Sequence, residues 1–211
     1  MKYASKELQN DMDVVGAAID QDGVSISHAS PMIQDNKEMA LRAVSNQGVA
    51  LGFVSDRLKN DKEVVMTAVN NWGGALDSAS DELKNDKDVV MAAVSQCGDH
   101  LRFASDRLKN DKDVALKAME HDDGHSLELM SDNLKTDTDF MLQLITVNAL
   151  AFQYAPDEIR NNKDIAMTAV AADNSLFKYV GENLQKDPEI SQTAFSFSVD
   201  DLPSMNQQMA M

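Results

Sequence analysis

The chain has 211 residues, of which 43% are hydrophobic and 26% charged, enough to bury a core and ordinary for a globular protein. Its 35 acidic residues against 19 basic ones give a formal net charge of −16, which repels nucleic-acid phosphates and anionic membrane and leaves a basic protein partner, or plain solubility, as what the charge serves. The one cysteine, Cys97, excludes an intramolecular disulfide and a cysteine-based metal site, and no apolar run reaches the length of a membrane span.

A single cysteine suits a reducing cytosol. The opening MKYASKELQND already stands in the register of the first repeat, so no cleaved signal peptide is expected and the protein is expected to be cytoplasmic. Delivery by a route without a cleaved signal stays open. Aromatic residues make up 5% and methionine numbers 13, which points to an aliphatic, adaptable core.

Self-similarity organises everything else. Eight copies start at Ala4, Ala29, Val54, Ala79, Ala104, Met130, Ala155 and Val180, spaced by 25 residues except for one step of 26 after Ala104. A fixed period of this length marks a stacked array in which no unit buries its apolar face alone.

The elements of one repeat follow in order. A Ser at the second position caps a short turn leading to an apolar fifth position, as in Ser80 to Leu83 and Ser105 to Leu108. The fifth position is Leu8, Ile33, Leu58, Leu83, Leu108, Leu134, Ile159 or Leu184. The eighth is always Asp or Asn, from Asp11 to Asp187, an N-cap for a second, longer helix. The tenth is always acidic, where the helix dipole favours a carboxylate. Pro188 directly after Asp187 confirms the register, because proline fits the first helical position.

Apolar residues then recur at helical spacing (Val64, Val65, Met66, Ala68 and Val69 in the third repeat), with Ala at the fifteenth position in all copies but the one with Leu144. Thr67, Ala92, Lys117, Gln143 and Thr168 interrupt the stripe and are expected to face solvent. Gly23, Gly48, Gly73, Gly98 and Gly124 are expected to close the helix in a left-handed conformation. One or two further helical turns run into the next Ala-Ser. Nothing alternates as a strand would. From the sixth repeat the glycine is lost to Ala149, Asn174 and Val199, and polar Ser191 and Gln192 suit a terminal cap.

The fold class is therefore all-α: an α-solenoid of eight ~25-residue helical repeats, each a long helix plus a short one, of either hand. One domain over residues 1–202 and a frayed tail at 203–211 are expected.

The recurring L-x-N-D-x-D-V-V-x-x-A-V-x-x-x-G-x-x-L-x-x-A-S, best seen from Leu83-Lys84-Asn85-Asp86-Lys87-Asp88-Val89-Val90 through Ala104-Ser105, resembles the domain-of-unknown-function 4116 repeats. The resemblance spans nearly the whole chain, is strong in the third to fifth copies, and departs most in the second, sixth and eighth. It implies an α-repeat fold in a family found in bacteria, including pathogens that secrete effectors, and in viruses. It carries no assigned activity and so no functional residue.

Chemistry-bearing sets are few. His121-Asp122-Asp123-Gly124-His125 holds the extra residue of the fifth repeat, but the spacing matches no established metal pattern and lacks a third anchor, so a polar loop is expected. Cys97 with His100 lacks an orienting group. No Ser/His/Asp set, phosphate-cradling glycine loop or HExxH is present. No catalytic residue, cofactor or metal is expected.

Trp72 replaces residues that are mostly polar in other copies, so it is either a partner anchor or a lid folded back over neighbouring helix ends, against Cys97 for example. The expected function is a non-enzymatic scaffold, as a bacterial effector or viral protein would use, that binds a protein through the exposed positions of its long helices: Thr67, Asn70, Asn71, Trp72, Ala92, Ser95, Gln96 and Lys117. The alternative is an acidic nucleic-acid-mimic decoy on a basic DNA- or RNA-binding protein, against which the lysines Lys59, Lys62, Lys84, Lys87, Lys109 and Lys112 dilute the field.

Overall fold

The computed structural model describes residues 4–120 and 122–195, so the expected tail at 203–211, Val199 and His121 lie outside the described residues. All regular structure among the described residues is helical. The chain divides into two compact units, Met1–Asp122 and Asp123–Met211, with the division falling at the one irregular step of the period. Each is a stack of helical repeats.

In the first unit the long helices are Met12–Gln21, Lys37–Asn46, Lys62–Asn71, Lys87–Val94 and Lys112–Met119. Short helices precede them (Lys6–Gln9, Pro31–Gln34, Asp56–Lys59, Asp81–Lys84, Asp106–Lys109) and 3₁₀ helices follow (Gly23–His28, Gly48–Phe53, Gly73–Ser78, Gly98–Phe103). The second unit has long helices Thr138–Val147, Lys163–Ala172 and Pro188–Phe195, with 3₁₀ helices His125–Leu129, Ala149–Tyr154 and Asn174–Tyr179. The eighth copy's short element is itself 3₁₀, Leu184–Lys186.

The helices begin where the sequence places them. Asp61 Oδ1 accepts from the Glu63 and Val64 N–H groups at 3.1 and 3.3 Å, and Asp86 and Asp111 do the same one and two repeats on. Asp187 accepts from Glu189 N–H at 2.9 Å, with Pro188 opening the helix as expected. Ser80 and Ser105 cap their short helices through Leu83 N–H and Leu108 N–H at 3.3 and 3.4 Å. Each such bond satisfies a helix-start donor that has no partner within the helix.

The core runs along the stack. Leu58, Val64, Val65, Ala68, Val69 and Leu76 of the third repeat are buried, and so are their counterparts in the fourth and fifth. In the second unit bulkier residues, Phe140, Leu144 and Phe152, fill the same role. Of the interrupting residues expected in solvent, Gln143 is exposed, whereas Thr67, Ala92, Lys117 and Thr168 are half-buried.

The glycine expectation needs correction. Among the described residues Gly124 has the one positive φ, 92°. Gly48 and Gly73 follow an extended residue and are needed for close approach instead. A Cβ on Gly48 would stand 2.5 Å from the Ala68 carbonyl oxygen, and one on Gly73 3.0 Å from that of Ala93. At Gly48 the obstacle is the last turn of the next repeat's long helix, and at Gly73 it is that turn together with the His100 ring, whose Nδ1 would lie 2.5 Å away. The space in front of Gly48 is occupied by the neighbouring backbone, which no side-chain rotation can clear.

Candidate functional site: the seams between repeats and the clefts beside them

Three sets of polar side chains join consecutive repeats, and they account for most of the conspicuous chemistry in the sequence. On the edge where long helices start, the ninth-position lysine reaches across to both acids of the next repeat. Lys37 lies 2.7 and 2.8 Å from Asp61 and Glu63, Lys62 2.8 and 2.9 Å from Asp86 and Asp88, and Lys87 2.9 and 2.7 Å from Asp111 and Asp113. In the second unit Lys163 repeats this with Asp187 and Glu189 at 3.0 and 2.8 Å.

The ionisation of these groups follows. The Lys37 ammonium holds the Asp61 carboxyl below its ordinary value, and Lys163 does so for Asp187. At Asp86 and Asp111 burial pushes upward, but the lysine and the helix-start N–H groups outweigh it. The lysines are raised in return, Lys62 chiefly by Asp86 and Lys87 chiefly by Asp113.

A second set joins the short helices. Ser30, Ser55, Ser80 and Ser105 donate their backbone N–H to the sixth-position carbonyl of the preceding repeat at 2.8 to 3.0 Å. Their hydroxyls donate to Asn10, Asp35, Asn60 and Asn85. Arg57 and Arg107 add bonds to Asp35 and Asn85 and to the backbone carbonyls there.

The third set sits where long helices end. Asn71 Nδ2 donates to Ser45 O at 3.0 Å and its Oδ1 accepts from Gly48 N–H at 2.7 Å. Gln96 donates to Val69 O at 2.6 Å and accepts from Gly73 N–H at 2.7 Å. Asn46 donates to Ile19 O and Asp20 O at 3.1 and 2.9 Å. Each amide thus closes carbonyls that the preceding helix cannot satisfy itself. Among the described residues no buried side-chain nitrogen or oxygen lacks a hydrogen-bond partner.

The residues expected to form a partner face divide accordingly. Asn71 and Gln96 are exposed, but their amides are spent on the seam. Thr67 donates to Glu63 O and Ser95 to Met91 O within their own helices, and Lys117 pairs with Glu120 at 2.6 Å. Asn70 is exposed and Ala92 half-buried.

Trp72 is 46% exposed. Its indole lies over Gly74, where a Cβ would collide with the ring, and its Cβ faces Gly48 of the preceding repeat. Gly74 stands where other copies carry Val24, Val49 or Asp99, so the Trp-Gly pair forms a matched substitution. Cys97 is exposed. Trp72 lines an open cleft of about 580 Å³ with Val24, Gly48, Val49, Asp22 and Asn71.

Of the His-Asp cluster, His125 packs edge-on against Tyr154, ring centroids 5.5 Å apart, and its Nδ1 lies 3.5 Å from Glu128. Among the described residues no three His, Cys, Asp or Glu side chains are grouped to hold a metal ion. Nor is any helix there long and apolar enough to cross a membrane.

Smaller clefts open beside the short helices at one repeating register. One of about 340 Å³ is lined by Asp81, Lys84, Phe103, Ala104, Ser105 and Asp106. Two of about 500 and 490 Å³ in the second unit contain Tyr154 and Tyr179 at the position of Phe103.

The seams define the molecule as an all-α helical-repeat protein. Its family follows from comparison with known proteins. Residues 1–34, 36–84, 62–109, 86–135, 111–160 and 137–185 each match the family described as Domain of unknown function (DUF4116), and the chain belongs to that family. No curated protein and no solved structure matches it.

Sequence reasoning found the caps and missed the cross-repeat role of the lysines. The signal was present: every Lys at the ninth position stands one residue from an acid of its own repeat, hence one repeat away from an equivalent pair.

Proposed function

We propose that the protein is a non-enzymatic interaction scaffold that binds a protein partner, with Trp72 as the anchor. The observation that carries this reading is the half-exposed indole, set in an open cleft beside Val49, itself 44% exposed, in a chain where other large apolar side chains are mostly in the core. Tryptophan in such a setting is the residue most often found at the energetic centre of interfaces. The ionisable groups with displaced titration add support. Among the described residues they are all members of cross-repeat pairs, Arg42 with Asp20 included, and so are engaged in joining repeats.

The test is co-purification from the native cell with the full chain and with Trp72→Ala. The expected result is a protein partner retained by the first and lost by the second at unchanged helicity. As the single tryptophan, Trp72 also reports binding directly through its fluorescence. Equal capture by both proteins, or turnover of a substrate, overturns the reading.

A second reading, the acidic decoy, is favoured by Asp56, Asp81 and Asp106, exposed at the same place in three consecutive repeats. The lysine bridges oppose it, since they neutralise the other row of acids. Binding to a nucleic-acid-binding protein that collapses in moderate salt and is competed by nucleic acid would select it.

A further inference from the structure

We infer that the cleft between the fourth and fifth repeats, formed by Asp81, Phe103 and Asp106, receives a cationic side chain from a basic, extended segment of a protein partner. The inference rests on the scaffold reading and adds the chemistry of the partner.

The cleft holds about 340 Å³, near the low end, about 300 Å³, of what small ligands occupy, so it suits one long side chain. Its floor is rigid. Ser105 is fixed through its N–H to Lys84 O at 3.0 Å and through its hydroxyl to Asn85 at 2.6 Å. Phe103 supplies a half-exposed ring, stacked on His100 at 6.4 Å between centroids. Carboxylates stand on both rims, Asp81 from one repeat and Asp106 from the next. Both are exposed, and neither has an ion-pair partner among the described residues. The one cation lining the cleft is Lys84.

The second unit shows what this register accepts. In the Tyr179 cleft, Lys178 places its ammonium 4.9 Å from the ring centroid, and Arg160 pairs with the rim residue Asp157. In the Tyr154 cleft, Lys135 pairs with the rim residue Asp132 at 3.0 Å. There the chain's own cations occupy the ring face or the rim acid. At Phe103 the counterpart cation, Lys84, pairs with neither rim acid, which leaves both acids beside the ring to an outside cation. An aromatic face with carboxylates on either side favours an ammonium or guanidinium through the ring quadrupole and through charge. A guanidinium fits best, since it can stack on the ring and donate to both rims.

The probe is a fluorescein-labelled peptide of arginines spaced by glycine and serine, titrated into the full chain and followed by anisotropy. The wild-type chain is expected to bind it, and an acidic peptide of equal length is not. Asp81→Asn with Asp106→Asn should weaken binding about tenfold. Phe103→Leu, which keeps apolar bulk and removes the ring face, should weaken it several-fold. Lys84→Gln should tighten it. Asp139→Asn with Glu158→Gln makes the same charge change at residues that do not line the cleft and should leave binding unchanged.

No binding by the wild-type chain, or equal binding by the cleft variant and the charge-matched control, overturns the inference. A native partner that is lost with Trp72→Ala and kept by the cleft variant leaves the scaffold reading standing and overturns this one.

Discussion

In the first unit the ends of the long helices are tied by Asn46, Asn71 and Gln96, each gripping carbonyls of the preceding repeat. In the second unit the same position is Val147, 50% exposed, or the exposed Ala172, neither of which carries a polar group to tie with. The glycine two residues further on changes with it, to Ala149 and Asn174. The pairing has a geometric cause. Asn71 and Gln96 bond to the N–H of Gly48 and Gly73, the glycines whose missing Cβ lets the neighbouring helix end come close. At Gly48 and Gly73, therefore, close approach and amide tie meet at one residue. The other edge keeps its lysine bridges in both units, and the second unit fills its core with Phe140, Leu144 and Phe152.

Substitutions can break or sharpen this contrast. The largest effect should be common to both units: Leu58→Ala and Ile159→Ala, each fully buried at the fifth position, should each cost about 3 kcal/mol in urea unfolding. A marked inequality would mean that the two cores differ in more than side-chain size.

Next comes that meeting point itself. Gly48→Ala should cost about 2 kcal/mol, because the new methyl meets the backbone at Ala68, whereas Ala149→Gly should cost less than about 1 kcal/mol. Trp72 fluorescence follows the first change and far-ultraviolet dichroism the second. Gln96→Ala should cost about 1 kcal/mol, and Ala172→Gln close to nothing.

The smallest effect separates the edges by pH. Asp61 and Asp187 titrate below their ordinary value in the folded state, so their contribution is present above about pH 4 and lost as pH falls through the lowered value. Lys37→Met and Lys163→Met should each lower Tm slightly at pH 6 and leave it equal to wild type in strong acid. The raised lysines act at the other end, their contribution fading above about pH 10. A Tm difference that persists in acid would show that the bridges act by packing and not by charge.

Much of the fold was legible because one repeat explains the next. Asp61, Asp86 and Asp111 cap helices as their position demands, and Pro188 opens one. What stayed hidden depends on the neighbour. Glycine before a 3₁₀ turn reads as a left-handed terminator within its own repeat, and only the carbonyl of Ala68 or Ala93, a repeat away, shows the real constraint. The candidate anchor Trp72 stood out as an oddity of sequence, and its support by Gly74 could have been read from the adjacent exception. The amides of Asn71 and Gln96 looked like free surface because nothing in one repeat reveals the carbonyls they reach.

The cross-repeat bonds also make length a modular property. Removing residues 54–78 would bring Lys37 opposite Asp86 and Asp88, Ser80 opposite Asp35, and Gln96 opposite Gly48, each pair chemically equivalent to one already present. Such a shortened chain would keep every kind of joint while losing Trp72. The array can therefore gain or shed whole units, and with them its distinctive surface residues, without rebuilding its framework.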